Sequence, residues 1–177
     1  WLDFEPDLPV YGRLALGLLY EKGLGMDSRK AAYIATLPSI EEFREAGPVE
    51  LWEPEEVALC ESLKFVAKQR RDSLATSPLL SNASLRAECW QDLKLLGEPP
   101  SREDVLWSLA CVLSRSMDDL GMFALDFFNH KLPNNAELVL ATDRSCVLVK
   151  AIRAIEAGEQ VFISYGMHPN MVLLSQY

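Results

Sequence analysis

Apolar positions recur three and four apart through the first two thirds of the chain, then gather into short continuous runs. The change comes near residue 121. Before it the spacing is that of amphipathic helices; after it, that of strands. Val10, Leu14, Gly17, Leu18 and Tyr20 form a helical stripe that stops at Gly23. A second short helix is predicted from Ser28 to Leu37, stopped by Pro38. Ser39-Ile40-Glu41-Glu42 has the capping-box pattern, in which the serine hydroxyl accepts a free helix amide and the glutamate reaches back. Ser101-Arg102-Glu103-Asp104 repeats it and opens a helix to about Met117. Pro54, followed by Glu55 and Glu56, suits the first turn of a helix running to about Arg71. Leu79 to Leu96 also reads as helical.

Beyond residue 121, GMFALDFF, ELVLA, RSCVLVK and QVFIS are strand-sized and rich in Val, Ile, Leu and Phe. ELVLATDRSCVLVK predicts a hairpin turning at Thr142-Asp143-Arg144. Glu156-Ala157-Gly158-Glu159 predicts a tight turn with Gly158 at positive φ. The fold class expected is α+β, with helical residues 1–120 followed by small β structure over 121–177.

Composition narrows the possibilities. A length of 177 residues with 49% hydrophobic and 24% charged residues excludes a disordered tail, a collagen-like rod and a disulfide miniprotein. Seventeen basic against 26 acidic residues leave a net charge of −9, which argues against nucleic acid and anionic membranes as partners. The excess is local. Residues 41–61 carry eight glutamates against Arg44 alone, a net of −7 that reads as a solvated helix face. Cys60, Cys89, Cys111 and Cys146 are too far apart for a zinc knuckle and read as reduced thiols of an intracellular protein, compartment open. No metal site is expected from two histidines, His130 and His168. No apolar run reaches the roughly 18 residues of a membrane span.

Ser114, Ser164 and Ser175 lack nucleophile-elbow glycines, and Gly23-Leu24-Gly25 reads as a helix C-cap. The informative stretches are Asp126-Phe127-Phe128-Asn129-His130 and Gly158 to Gly166, followed by Asn170 to Tyr177. Asn129 and His130 end a very apolar run, so they must be paired or face a ligand. Tyr165 ends another such run and precedes a glycine.

These residues carry a family resemblance. D-x-x-N-H, then A-G-E-Q, a strand, Y-G and N-x-x-L-L-x-x-Y resemble the C-terminal half of the SET-domain protein methyltransferases. The branch resembled is that of the plant Rubisco large-subunit lysine methyltransferase. LALGLLYEKGLGMDSRKAAYIATLP, LWEPEEVALCESL and VLWSLACVLSRSM are similar to its helical insertion. The resemblance implies an S-adenosylmethionine-dependent enzyme that methylates a lysine of a protein substrate. On the family pattern Tyr165 is the catalytic tyrosine. Asn129 and His130 hold the cofactor, Asp126 and Phe128 line its pocket, Arg115 meets its carboxylate and Tyr177 closes the pocket. Met117 is apolar, as in lysine-directed relatives. Lys131 departs from the small polar residue common after N-H, and the following loop lacks a tyrosine of the plant enzymes' lysine channel. The family's first β segment with its G-x-G loop has no counterpart, nor has the substrate-binding helical domain expected beyond Tyr177, so both ends read as internal to a longer chain. Two alternatives follow: a non-catalytic SET-like interaction module, and a protein-histidine methyltransferase.

Overall fold

The computed structural model describes residues 8–92, 98–117, 120–121, 125–142, 146–170 and 173. The chain divides into two compact units, Trp1–Phe123 with Met171–Tyr177, and Ala124–Asn170. The first is helical and the second holds short strands, so the architecture is α+β.

In the helical unit, α1 (Val10–Gly23) buries Gly12, Ala15, Leu16, Gly17, Leu18 and Leu19. Its buried surface is wider than the stripe predicted from Leu14 and Tyr20, both only half-buried. The Ser28–Leu37 helix shrinks to α2 (Ala31–Ile34). Both capping boxes form as the sequence dictates. At α3 (Ile40–Ala46) the Glu42 N–H donates to Ser39 Oγ at 3.1 Å and the Ser39 N–H to Glu42 Oε2 at 2.7 Å. At α8 (Arg102–Arg115) Asp104 N–H donates to Ser101 Oγ at 3.1 Å.

Two predicted helices are broken. The Pro54 helix divides into α4 (Pro54–Ala58) and α5 (Glu61–Ala75), with Cys60 extended at φ −127° and ψ 102°. Val57 and Leu63 share one buried cluster with Val49 and Ala67. Six helical residues apart, they would point about 120° away from each other on an unbroken helix. The break turns both toward one cluster. The Leu79–Leu96 helix divides into α6 (Pro78–Ser81) and α7 (Ala83–Asp92). Asn82 separates them and caps α7, its Oδ1 accepting from the Leu85 N–H at 3.0 Å. The remainder of that prediction, residues 93–96, lies outside the described residues.

The main core joins α1, α3, α6, α7 and α8 through Leu16, Leu18, Phe43, Leu79, Trp90, Val105 and Trp107. Trp107 Nε1–H donates to the Pro38 carbonyl at 2.7 Å, so a buried indole is also satisfied. A two-residue ladder, β1 (Ser116–Met117) against β2 (Leu120–Gly121), follows α8.

The second unit corrects one expectation. GMFALDFF is not a continuous strand: Leu125–Phe127 forms a 3-10 turn closed by Phe128 N–H to Leu125 O at 3.1 Å. Apolar bulk favours a strand only where a neighbouring strand supplies the ladder. Gly121 belongs to β2, residues 122–124 lie outside the described residues, and among the described ones a ladder resumes only at β3 (Asn129–His130), which pairs in parallel with β6 (Phe162–Ile163). The expected hairpin is present as β4 (Ala136–Leu140) antiparallel to β5 (Val147–Ala151), with Glu137 opposite Lys150. Its tip, residues 143–145, lies outside the described residues. The Glu156–Glu159 turn closes with Glu159 N–H to Glu156 O at 3.0 Å, Gly158 standing at φ 84°.

Candidate active site

The parallel ladder β3–β6 brings two distant sequence motifs side by side. Asn129 stands opposite Phe162 and His130 opposite Ile163. The Lys131 N–H continues the pairing to the Ile163 carbonyl at 3.2 Å. Tyr165 leaves β6 two residues later and is tied back twice, to His130 of β3 and to Phe128 just before it. Its backbone N–H donates to His130 Nδ1 at 3.0 Å, and its hydroxyl donates to the Phe128 carbonyl at 2.7 Å. The His130 and Tyr165 ring centroids are 5.3 Å apart. An Nδ1 lone pair that accepts a backbone N–H places the ring proton of a neutral imidazole on Nε2. His130 thereby sets the position of Tyr165, and Phe128 sets the direction of its hydroxyl.

Gly166 completes the turn after Tyr165. It stands at φ 108°, and a Cβ there would lie 2.8 Å from His168 Nε2. Only glycine fits this position without strain.

Asn135 anchors the other end of β6. It is 1% exposed, and its carboxamide uses both ends. Oδ1 accepts from Phe162 N–H at 2.7 Å, and Nδ2 donates to the Gln160 carbonyl at 2.9 Å and to Glu159 Oε1 at 3.1 Å. Its backbone N–H reaches Phe162 O at 3.3 Å and its carbonyl receives Ile152 N–H at 3.0 Å. Glu159 in turn pairs with Arg153 and accepts the Glu156 N–H at 3.1 Å. The Arg153 guanidinium first, then the Glu156 amide and the Asn135 carboxamide, hold the Glu159 carboxyl down at about 2. Sequence reasoning singled out neither Asn135 nor the imidazole's hold on Tyr165. An asparagine directly before an apolar strand was the only available signal for the first. The second joins residues 35 apart.

Of the residues expected to form the site, Asp126, Phe128, Asn129, His130 and Tyr165 lie in the β unit. Asp126 sits half-buried in the 3-10 turn, and Asn129 is exposed. The Asn129 carboxamide makes no hydrogen bond among the described residues, so a donor and an acceptor are available to a ligand. Arg115 belongs to the helical unit, at the end of α8. Its guanidinium donates to Ser114 Oγ at 2.7 Å and lies 5.4 Å from the Phe43 ring centre. Tyr177 and the side chain of Met117 lie outside the described residues. Among the described residues no group of three or more His, Cys, Asp or Glu could hold a metal ion. No described helix is long and apolar enough to cross a membrane.

The family model for the SET domain matches residues 24–166, spanning both units. The chain is also similar to the ribosomal lysine N-methyltransferase set11 of Schizosaccharomyces pombe, at 36% identity over 52 residues. That match covers 29% of this chain and 13% of the relative.

Proposed function

We propose that this chain, which belongs to the SET-domain family, is the helical insertion (residues 1–120) and C-terminal catalytic region (121–177) of an S-adenosylmethionine-dependent protein-lysine N-methyltransferase. The observation that carries this reading is the Phe128–His130–Tyr165 constellation, two motifs joined by one short parallel ladder. The lysine methyltransferase among its relatives supports a protein lysine as target. The helical motifs support the Rubisco methyltransferase-like branch, and the reduced thiols an intracellular enzyme.

The residues present fit the cofactor. Asn129 offers an exposed, unengaged carboxamide beside β3, and Asp126 and Phe128 adjoin it in sequence. Arg115 is assigned to the cofactor carboxylate, which a guanidinium can hold bidentately, and Tyr177 to closing the pocket. When bound, S-adenosylmethionine supplies an electrophilic methyl group on a sulfonium. Fixed oxygen dipoles of the protein facing that methyl group would stabilise its positive charge without having to reorganise. The Tyr165 hydroxyl is such a dipole, because the bond to Phe128 O holds it in one direction. His130 acts as a positioning residue: its Nδ1 is already engaged by the Tyr165 amide. Apolar surroundings favour the neutral form of the incoming amine, which alone has a nucleophilic lone pair.

Tyr165→Phe keeps the ring and removes the hydroxyl. In the full-length protein we expect it to lower kcat for labelled methyl transfer to protein lysine by about 100-fold, with S-adenosylmethionine affinity by calorimetry little changed. Transfer at the wild-type rate would remove Tyr165 from this role. Mass spectrometry showing methylated histidine instead of lysine would change the substrate.

A further inference from the structure

Lys131 directly follows the D-x-x-N-H segment, and nothing in the proposed chemistry uses it. The ladder gives it a defined place. Its backbone N–H reaches the Ile163 carbonyl at 3.2 Å, which continues the β3 pairing by one residue. Side chains alternate along a strand, so Lys131 shares a face with Asn129, whereas His130 takes the other. Phe162 is in register with Asn129 and stands on that same face. In accord with this, Lys131 Nζ lies 4.9 Å from the centre of the Phe162 ring, inside the roughly 6 Å of a cation–π contact. The lysine is exposed, and its ammonium forms no ion pair among the described residues.

One face of the β3–β6 ladder therefore carries an unengaged carboxamide, an ammonium and an aromatic ring. The carboxamide offers an acceptor at Oδ1 and a donor at Nδ2; the ammonium offers charged donors only. At about 3.3 Å of rise per residue, the two side chains leave the backbone roughly 6.6 Å apart. An α-amino acid complements this pair, because its ammonium and its carboxylate leave one carbon. Asn129 Oδ1 can accept from the first while Lys131 donates to the second. A lone amine would meet Lys131 with like charge, and a lone carboxylate would leave Oδ1 unmatched. The half-buried Phe162 ring under Nζ keeps water from one side of the ammonium, which strengthens a charged hydrogen bond made on the other.

We propose that Lys131 is a cofactor-binding residue in addition to Arg115, holding the carboxylate of the S-adenosylmethionine amino-acid end while the Asn129 carboxamide takes its ammonium. This rests on the reading of Asn129 as a cofactor residue and adds a second side chain to it. The test is calorimetry on the full-length protein and needs no methyl transfer. Two ligands are compared: S-adenosylhomocysteine, and its carboxamide, in which an amide replaces the carboxylate. Lys131→Met removes the charge and keeps a long apolar stem over Phe162. It is expected to bind S-adenosylhomocysteine about tenfold more weakly than the wild type, and the carboxamide within about twofold. Lys131→Arg, which keeps the charge, should recover most of the loss. Equal weakening of both ligands in Lys131→Met would confine Lys131 to covering Phe162 and overturn the proposal, as would unchanged affinity for S-adenosylhomocysteine. A wild-type protein that binds neither ligand would remove the cofactor reading itself, and this proposal with it.

Discussion

Seventeen buried residues form one apolar cluster in the helical unit, whereas in the β unit only Asn135, Ala136 and Ile163 are buried among the described residues. The helical unit is held by area removed from water and by interlocking side chains. The β unit has little apolar interior of its own. Phe127, Leu132, Leu140, Leu148, Ile152 and Met167 are all exposed in it. Its organising group is one carboxamide that joins three segments of chain. The difference teaches that the two units should fail by different chemistry. Loss of volume should damage the first, and loss of a donor or acceptor the second.

The largest effect is expected from Leu16→Ala, which opens a void among fully buried side chains. It should cost about 2–5 kcal/mol, read as a lower midpoint in denaturant unfolding followed by far-ultraviolet circular dichroism. A cost below 1 kcal/mol would break the claim that packing holds the helical unit. Next comes Asn135→Leu, nearly equal in volume but unable to hydrogen bond. It strands the Phe162 N–H and the Gln160 carbonyl, at about 2–3 kcal/mol, and should shift the Tyr165 resonances. Asn135→Asp retains the acceptor for Phe162, so it should cost less. If leucine were tolerated as well as aspartate, the β unit would owe its order to burial after all. Ser101→Ala removes one cap and should cost about 1 kcal/mol, visible as faster amide exchange in the first turn of α8 alone.

Acidification should separate the units by sign. The Glu159 carboxyl titrates at about 2 in the folded chain against an ordinary 4.5. The stabilisation it gives is complete above pH 4.5 and is lost as the pH falls toward 2. Glu50 is shifted the other way, because burial raises its carboxyl and outweighs the opposing pull of Arg70 and Arg71. The penalty of charging it is present above its folded value and is relieved as the pH drops through that value to 4.5. Amide exchange should therefore show Leu63 and Ala67 gaining protection on mild acidification, and Phe162 losing it below pH 4.5. Glu50→Gln and Glu159→Gln should each abolish their own trend. Trends that persist in both variants would assign the pH response to other groups.

Local signals were legible where a few adjacent residues suffice. Ser39 with Glu42 and Ser101 with Asp104 need only one helical turn to satisfy each other, and both boxes form. Asn82 was equally local, yet the apolar spacing of Leu79 to Leu96 masked it. The break at Cys60 was not legible. No proline or glycine marks it, and what it serves is a cluster with Val49, eight residues or more from the side chains it gathers. Leu125 to Phe127 failed for the same reason from the other side: strand composition, yet a 3-10 turn where no described strand pairs with them.

For the site, D-x-x-N-H and Y-G could be picked out and linked through family resemblance. Their meeting could not be derived from spacing. The sequence by itself determined the helical first part, the caps, the β4–β5 hairpin and the motif residues, because each depends on neighbours within a turn or a hairpin. Only the tertiary structure decided that His130 holds the Tyr165 amide, that Asn135 anchors β6 and that Glu50 alone of its acidic stretch is buried. A hydrogen bond between residues tens of positions apart exists only once the chain has closed the loop between them, and no local periodicity encodes that closure.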